Sequence, residues 1–165
     1  MITHAEITKE VRDWSKEVLE TENPVCPYAK KTWENNKANI IISNNIYWKD
    51  LYKKATNFPN EYDVVIYCDF NVDLHVDIFN DRINLLNTFF TQHNLWFMGF
   101  HQEHQEKSVV EQDHFEPHFE DSYNMIFMQK LDKLNKASET LEKIGYYKDW
   151  EDEDFQGILK RRSKS

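Results

Sequence analysis

Val64-Val65-Ile66-Tyr67-Cys68, followed at once by Asp69-Phe70-Asn71-Val72-Asp73, is the stretch on which the fold turns. Five apolar residues without a polar interruption suit a strand buried on both faces, with helices covering the sheet above and below. Helical periods flank it. Upstream, Tyr47, Trp48, Leu51, Tyr52 and Ala55 recur at helical spacing behind a capping Asn44 or Asn45 and stop at Phe58-Pro59. Downstream, Asp73 is placed to cap a long helix running to about His93, with Ile78, Leu85, Leu86, Phe89 and Phe90 on one face. Ile40-Ile41-Ile42 before these elements and Leu95 to Phe100 after them read as short strands.

Further out, Thr3 and Glu6 form a capping-box spacing, and Ile7, Val11, Trp14, Val18 and Leu19 predict a first helix over residues 4–20. Cys26 can cap a second helix with Pro27 at its first position and Tyr28 to Asn36 as its body. Tyr123 to Gln129 is a fourth strand. Leu131, Leu134, Ala137, Leu141 and Ile144 form a last helix closed by Gly145. The order α-α-β-α-β-α-β-β-α is that of an α/β protein, with α+β as its nearest variant. Two successive β-α-β units imply three parallel strands, and the fourth strand can return antiparallel to the third, giving a mixed four-stranded sheet. Residues 1–148 make one domain and residues 149–165 a charged tail, either solvated or used as a docking peptide.

The chain has 165 residues, 40% hydrophobic and 15% aromatic, enough for a real core in one domain. Its net charge of −9 disfavours nucleic acid, which asks for a basic face. There is neither an apolar run of the ~20 residues that spans a bilayer nor a basic start followed by an apolar stretch, so the expectation is a cytoplasmic protein with no membrane partner. Cys26 and Cys68 lie in unlike contexts and are expected to be free thiols. With only Gly99, Gly145 and Gly157, no glycine-rich phosphate loop exists.

In sheets of this kind ligands bind beyond the carboxyl ends of the parallel strands. The segments leaving those ends are Ser43-Asn44-Asn45, Asp69-Phe70-Asn71 and His101-Gln102-Glu103-His104, and Cys26 reaches the same edge if the second helix packs antiparallel to the strand after it. Asn44, Asp69 and Asn71 are thereby candidates for substrate binding. Asp73 as a cap and Asn71 as a turn residue serve structure equally well. His101, His104, His114 and His118, with Glu103 beside them, supply the nitrogen and oxygen donors that Zn, Fe or Mn accept. Glu103 would be a carboxylate ligand or general base. Pro117 argues against a regular helical turn between His114 and His118, and a hydrated, pH-sensitive loop explains the same four histidines without a metal.

Cys26 invites a second chemistry. A thiol at a helix N-cap meets unpaired amides and the positive end of the macrodipole, which favour thiolate. Val25-Cys26-Pro27-Tyr28-Ala29 resembles the start of the glutaredoxin Cys-Pro-Tyr-Cys motif, but Ala29 replaces the second cysteine and excludes a dithiol mechanism. A purely structural cysteine is the plainer alternative, and Cys68, inside an apolar strand, is core. His75 and His93 read as surface or helix-end residues. Trp33, Trp48, Tyr52 and Trp96 read as core packing rather than a stacking platform.

Trp14, Cys26-Pro27-Tyr28-Ala29, Phe100-His101 and Asn124, in that order, resemble positions of an uncharacterised bacterial family, domain of unknown function 1415. The resemblance spans residues 10–145. It implies α/β units, a strand entering a histidine-containing loop and a strand leading into a final helix, and it raises Cys26 and His101 above the other candidates.

The leading expectation is a small metal-dependent enzyme acting on a small molecule. Its catalytic residues are Cys26 and Glu103, its metal ligands His101, His104, His114 and His118, and its substrate-binding residues Asn44, Asp69 and Asn71. The alternatives are a metal-free nucleophilic or redox site at Cys26, and a non-catalytic adaptor whose acidic segments bind a basic protein partner.

Overall fold

The run that opened the sequence forms β2 (Val64–Asp69), all six of whose residues are buried. In the computed structural model, described over residues 2–20, 29–43, 48–70, 74–101 and 123–145 and at positions 156, 157, 160 and 162, it lies inside a four-stranded sheet. β1 (Ala38–Ser43) pairs parallel to it, and β4 (Asn124–Lys130) pairs antiparallel on its other side. β3 (Leu95–Phe100) is the far edge, antiparallel to β4, so the spatial order is β1-β2-β4-β3. β1, β2 and β3 therefore share one direction, as two β-α-β units require. The last strand fills the slot that the second crossover leaves open.

α3 (Trp48–Thr56) and α4 (Val76–Phe90) make those two crossovers. Both connections step the same way across the sheet, so one-handed crossovers put both helices on one face. Leu51, Ala55, Phe79, Ile83, Leu86 and Phe90 pack there against Val65, Tyr67, Phe97, Ile126 and Met128. α1 (His4–Trp14) covers the other face, where Ile7, Val11 and Trp14 meet Ile40, Val64, Ile66, Cys68, Phe100, Met125 and Phe127. α2 (Ala29–Glu34) places Trp33 against the same layer. α5 (Leu131–Lys143) follows β4 without a break and packs Leu131 and Leu134 on Trp96.

Several local expectations need correction. The capping box of Thr3 and Glu6 forms, but the first helix is regular only to Trp14 and widens into a π-turn over Ser15–Leu19. α4 starts at Val76 and is capped by His75, whose ring accepts from the Asp77 amide; Asp73, the expected cap, lies outside the described residues. Its buried face is Phe79, Ile83, Leu86, Asn87 and Phe90, whereas Ile78, Leu85 and Phe89 point outward. The strand neighbours chose between two apolar stripes that the helical period allows equally. Tyr52 and Ile144 are exposed too, although Trp96 is core as expected. In the tail, Arg162 is held to the body: its guanidinium donates to Ser138 Oγ at 2.8 Å and lies 5.7 Å from the Trp96 ring centroid.

Both sheet edges receive side chains in place of a further strand. Asn87 Nδ2 donates to the Phe97 carbonyl at 2.9 Å, and the Phe97 amide donates to Asn87 Oδ1 at 2.7 Å. At the other edge His4 Nε2 donates to the Ile40 carbonyl at 3.1 Å. Such pairing blunts an edge that would otherwise recruit another chain. No helix among the described residues is long and apolar enough to cross a membrane.

Candidate functional site

Strand register collects polar residues at the carboxyl ends of the parallel strands. Ser43 pairs with Asp69, and Asp69 pairs with Asn124. Phe100 pairs with Met125, so the next residue, His101, continues the row beside Asn124. Side chains alternate along a strand, and Ile41, Tyr67, Ile126 and Phe97 all belong to the α3–α4 layer. Ser43, Asp69, Asn124 and His101 therefore fall on that same face. Three of them are buried despite their polarity, at 8% exposure for Asp69 and 1% for both Asn124 and His101.

His101 is oriented from two sides. Its Nε2 donates to the Leu74 carbonyl at 2.7 Å, just before α4, and the Phe79 ring stands edge-on to the imidazole at 5.3 Å. Phe79 can occupy that place because β3 has Gly99 beneath it; a Cβ there would overlap the Phe79 ring and come within 3.1 Å of Ile83 Cγ1. A carbonyl can only accept, so Nε2 carries the proton in this bond. Two residues before Asp69 on the same face, the Tyr67 hydroxyl is buried without a hydrogen-bond partner among the described residues. Burial pushes that phenol up to about 12.

A different polar group lies on the α1 face. Tyr123 donates through its hydroxyl to Glu10 Oε2 at 2.6 Å, with both side chains buried, and the Phe70 ring sits 5.3 Å from that of Tyr123. Burial raises the Tyr123 phenol well above its usual range, and the bond to Glu10 adds to the effect. Cys68, fully buried nearby, is pushed up to about 12 by burial and then by the Glu10 carboxylate. Its thiol is free, and burial disfavours the reactive thiolate.

Of the residues expected to form the site, the structure thus brings Asp69 and His101 into one row. Cys26, Asn44, Asn71, Glu103, His104, His114 and His118 lie outside the described residues. Among the described residues no three His, Cys, Asp or Glu side chains group to hold a metal. Asn124 entered the sequence reading only through the family resemblance, and Ser43 only as an exit residue. Their signal was a polar residue at a strand end, which becomes legible once the register is known. Trp14 and Phe100, also matched in that resemblance, pack at 5.1 Å on the opposite side of the sheet.

A cleft of about 430 Å³ opens at the other end of the sheet, between the ends of α3 and α4. Tyr52, Phe89, Phe90 and His93 line it together with Lys130. Lys130 is already engaged, its Nζ donating to the Asn60 carbonyl at 3.2 Å and to Asp63 Oδ1 at 3.3 Å. The cleft has a mixed lining, with Thr56, Asn60 and Asn94 beside the aromatic rings, and is remote from Asp69 and His101. No known protein family, curated protein or solved structure matches the chain.

Proposed function

We propose that the chain is a small enzyme acting on a small molecule through a divalent metal held at the carboxyl edge of its sheet. The observation that carries this reading is the donation from His101 Nε2 to the Leu74 carbonyl in the row that contains Asp69. Histidine ligands are commonly fixed by such a bond. His104, His114 and His118 stand next in the chain and are the further ligands in this reading; Glu103 is the carboxylate ligand or base. Asp69, Asn44 and Asn71 face the substrate, and the Tyr67 hydroxyl, without a hydrogen-bond partner among the described residues, is a further polar group for it. The metal would supply an activated water at neutral pH, one whose pKa falls toward about 7.

Elemental analysis of protein purified without a histidine tag tests the proposal directly. Near-stoichiometric Zn, Fe or Mn, lost together in His104→Ala and His114→Ala variants that still fold, is the expected result. Metal-free protein whose melting temperature does not respond to any of the three ions would rule the reading out.

A further inference from the structure

Four of the five large hydrophobic side chains exposed among the described residues lie on one side of the molecule: Tyr52, Ile78, Leu85 and Phe89, at 44, 46, 70 and 41%. Three of them form a stripe. At 100° per residue, Ile78, Leu85 and Phe89 fall within about 40° of one another on α4 and about 120° from its buried face. α3 flanks the stripe, with the Tyr52 ring 5.5 Å from Phe89 and the Arg82 guanidinium 5.3 Å from the Trp48 ring. A solitary exposed leucine needs no explanation, but a continuous apolar seam along two helices does.

The charges on either side of the seam are of opposite sign. Beyond Tyr52 on α3 come Lys49 and Lys53; beyond the stripe on α4 come Asp77 and Asp81, all four exposed. Lys49, Lys53 and Asp81 enter no ion pair among the described residues, and Asp77 meets only His75, at 3.5 Å. The pattern across the face is thus cationic, apolar, anionic.

We propose that this face is the interface of a homodimer, in which α3 of one copy lies on α4 of the other about a two-fold axis roughly parallel to the helices. That rotation exchanges the two flanks, so lysines meet aspartates twice while the stripes bury each other. Such self-complementarity is what an isologous contact requires. A uniformly basic or acidic partner would instead be repelled by one flank. An apolar centre with a charged rim is the usual anatomy of such an interface, which in stable complexes covers about 800 Å² per partner.

Sedimentation velocity on the full chain, over a hundredfold concentration range in the micromolar region, tests the proposal. The expected species has twice the 20.0 kDa mass of the chain. Leu85→Glu, at an exposed position, should give a monomer with unchanged circular dichroism and melting temperature. Asp81→Lys should weaken association roughly tenfold, because each lost pair occurs twice about the axis. A full exchange of the flanks, Lys49→Asp and Lys53→Asp with Asp77→Lys added to Asp81→Lys in the same chain, should restore it. A monomer at every concentration, or a dimer indifferent to Leu85→Glu, would overturn the interface. Failure of the charge reversal to rescue Asp81→Lys would overturn the two-fold arrangement.

Discussion

The Tyr123 hydroxyl and the Glu10 carboxylate meet at 2.6 Å across 113 residues of sequence, and both are buried. The bond ties α1 to the start of β4, and so to the strand beside both Asp69 and His101. Removing it with Tyr123→Phe keeps the ring and its packing on Phe70. The variant should lose about 1–3 kcal/mol, the range for a buried bond to an acidic group. Urea denaturation measures this; an unmoved midpoint would show that the bond contributes nothing to stability.

Alkaline pH should act on both faces of the sheet. Cys68 is raised to about 12 from 9.0 and Tyr67 to about 12 from 10.0, and Tyr123 is raised too. Each is neutral when protonated, and the folded state holds the proton more tightly than the unfolded chain. The stability from that difference is complete below the unfolded pKa values and is lost as pH rises, first for the thiol above 9.0 and then for the phenols above 10.0. The loss should approach about 1.4 kcal/mol per pH unit for each group. Denaturation midpoints between pH 9 and 10 should fall less steeply in Cys68→Ala, and equal slopes would contradict the assignment.

Asn87 substitutes for a fifth strand at the β3 edge. Asn87→Leu preserves size but leaves the Phe97 amide and carbonyl without their partner, at about 1–3 kcal/mol for each group that stays buried. Thermal denaturation should show the loss, and light scattering should rise as the edge becomes available for pairing. A variant as stable and as soluble as the wild type would mean that water serves Phe97 equally well.

Gly99→Ala should displace Phe79, because a Cβ at Gly99 overlaps that ring. The expected cost is about 1–3 kcal/mol of overpacking. A specific readout is the His101 Nε2 proton, whose exchange with solvent should accelerate once Phe79 no longer shields the imidazole. Unchanged exchange with lowered stability would separate the packing role from the shielding role.

Cys68 should resist alkylation in the folded protein, since it is fully buried and its thiol is pushed up to about 12. Mass spectrometry after brief iodoacetamide treatment at neutral pH should find any label on Cys26. Rapid labelling of Cys68 under native conditions would mean that the β2 layer opens readily.

The α/β class, the buried central strand and the element order were legible because their signals are local. An unbroken apolar run such as Val64 to Cys68, or a helical period such as that of α5, is written in neighbouring residues. Tertiary structure decided what depends on distant partners. α4 carries two apolar stripes of equal periodicity, and only the strands beneath it selected Phe79, Ile83, Leu86 and Phe90 for the core. Gly99 admitted Phe79 to its place; no period announces that. Ser43, Asp69, Asn124 and His101 share a row because β4 inserts between β2 and β3, and hydrogen-bond register is settled between strands rather than within them. The residue types at this edge were thus determined by the chain itself. Their assembly into one row was decided by pairing across as many as 55 residues of sequence, from Asp69 to Asn124.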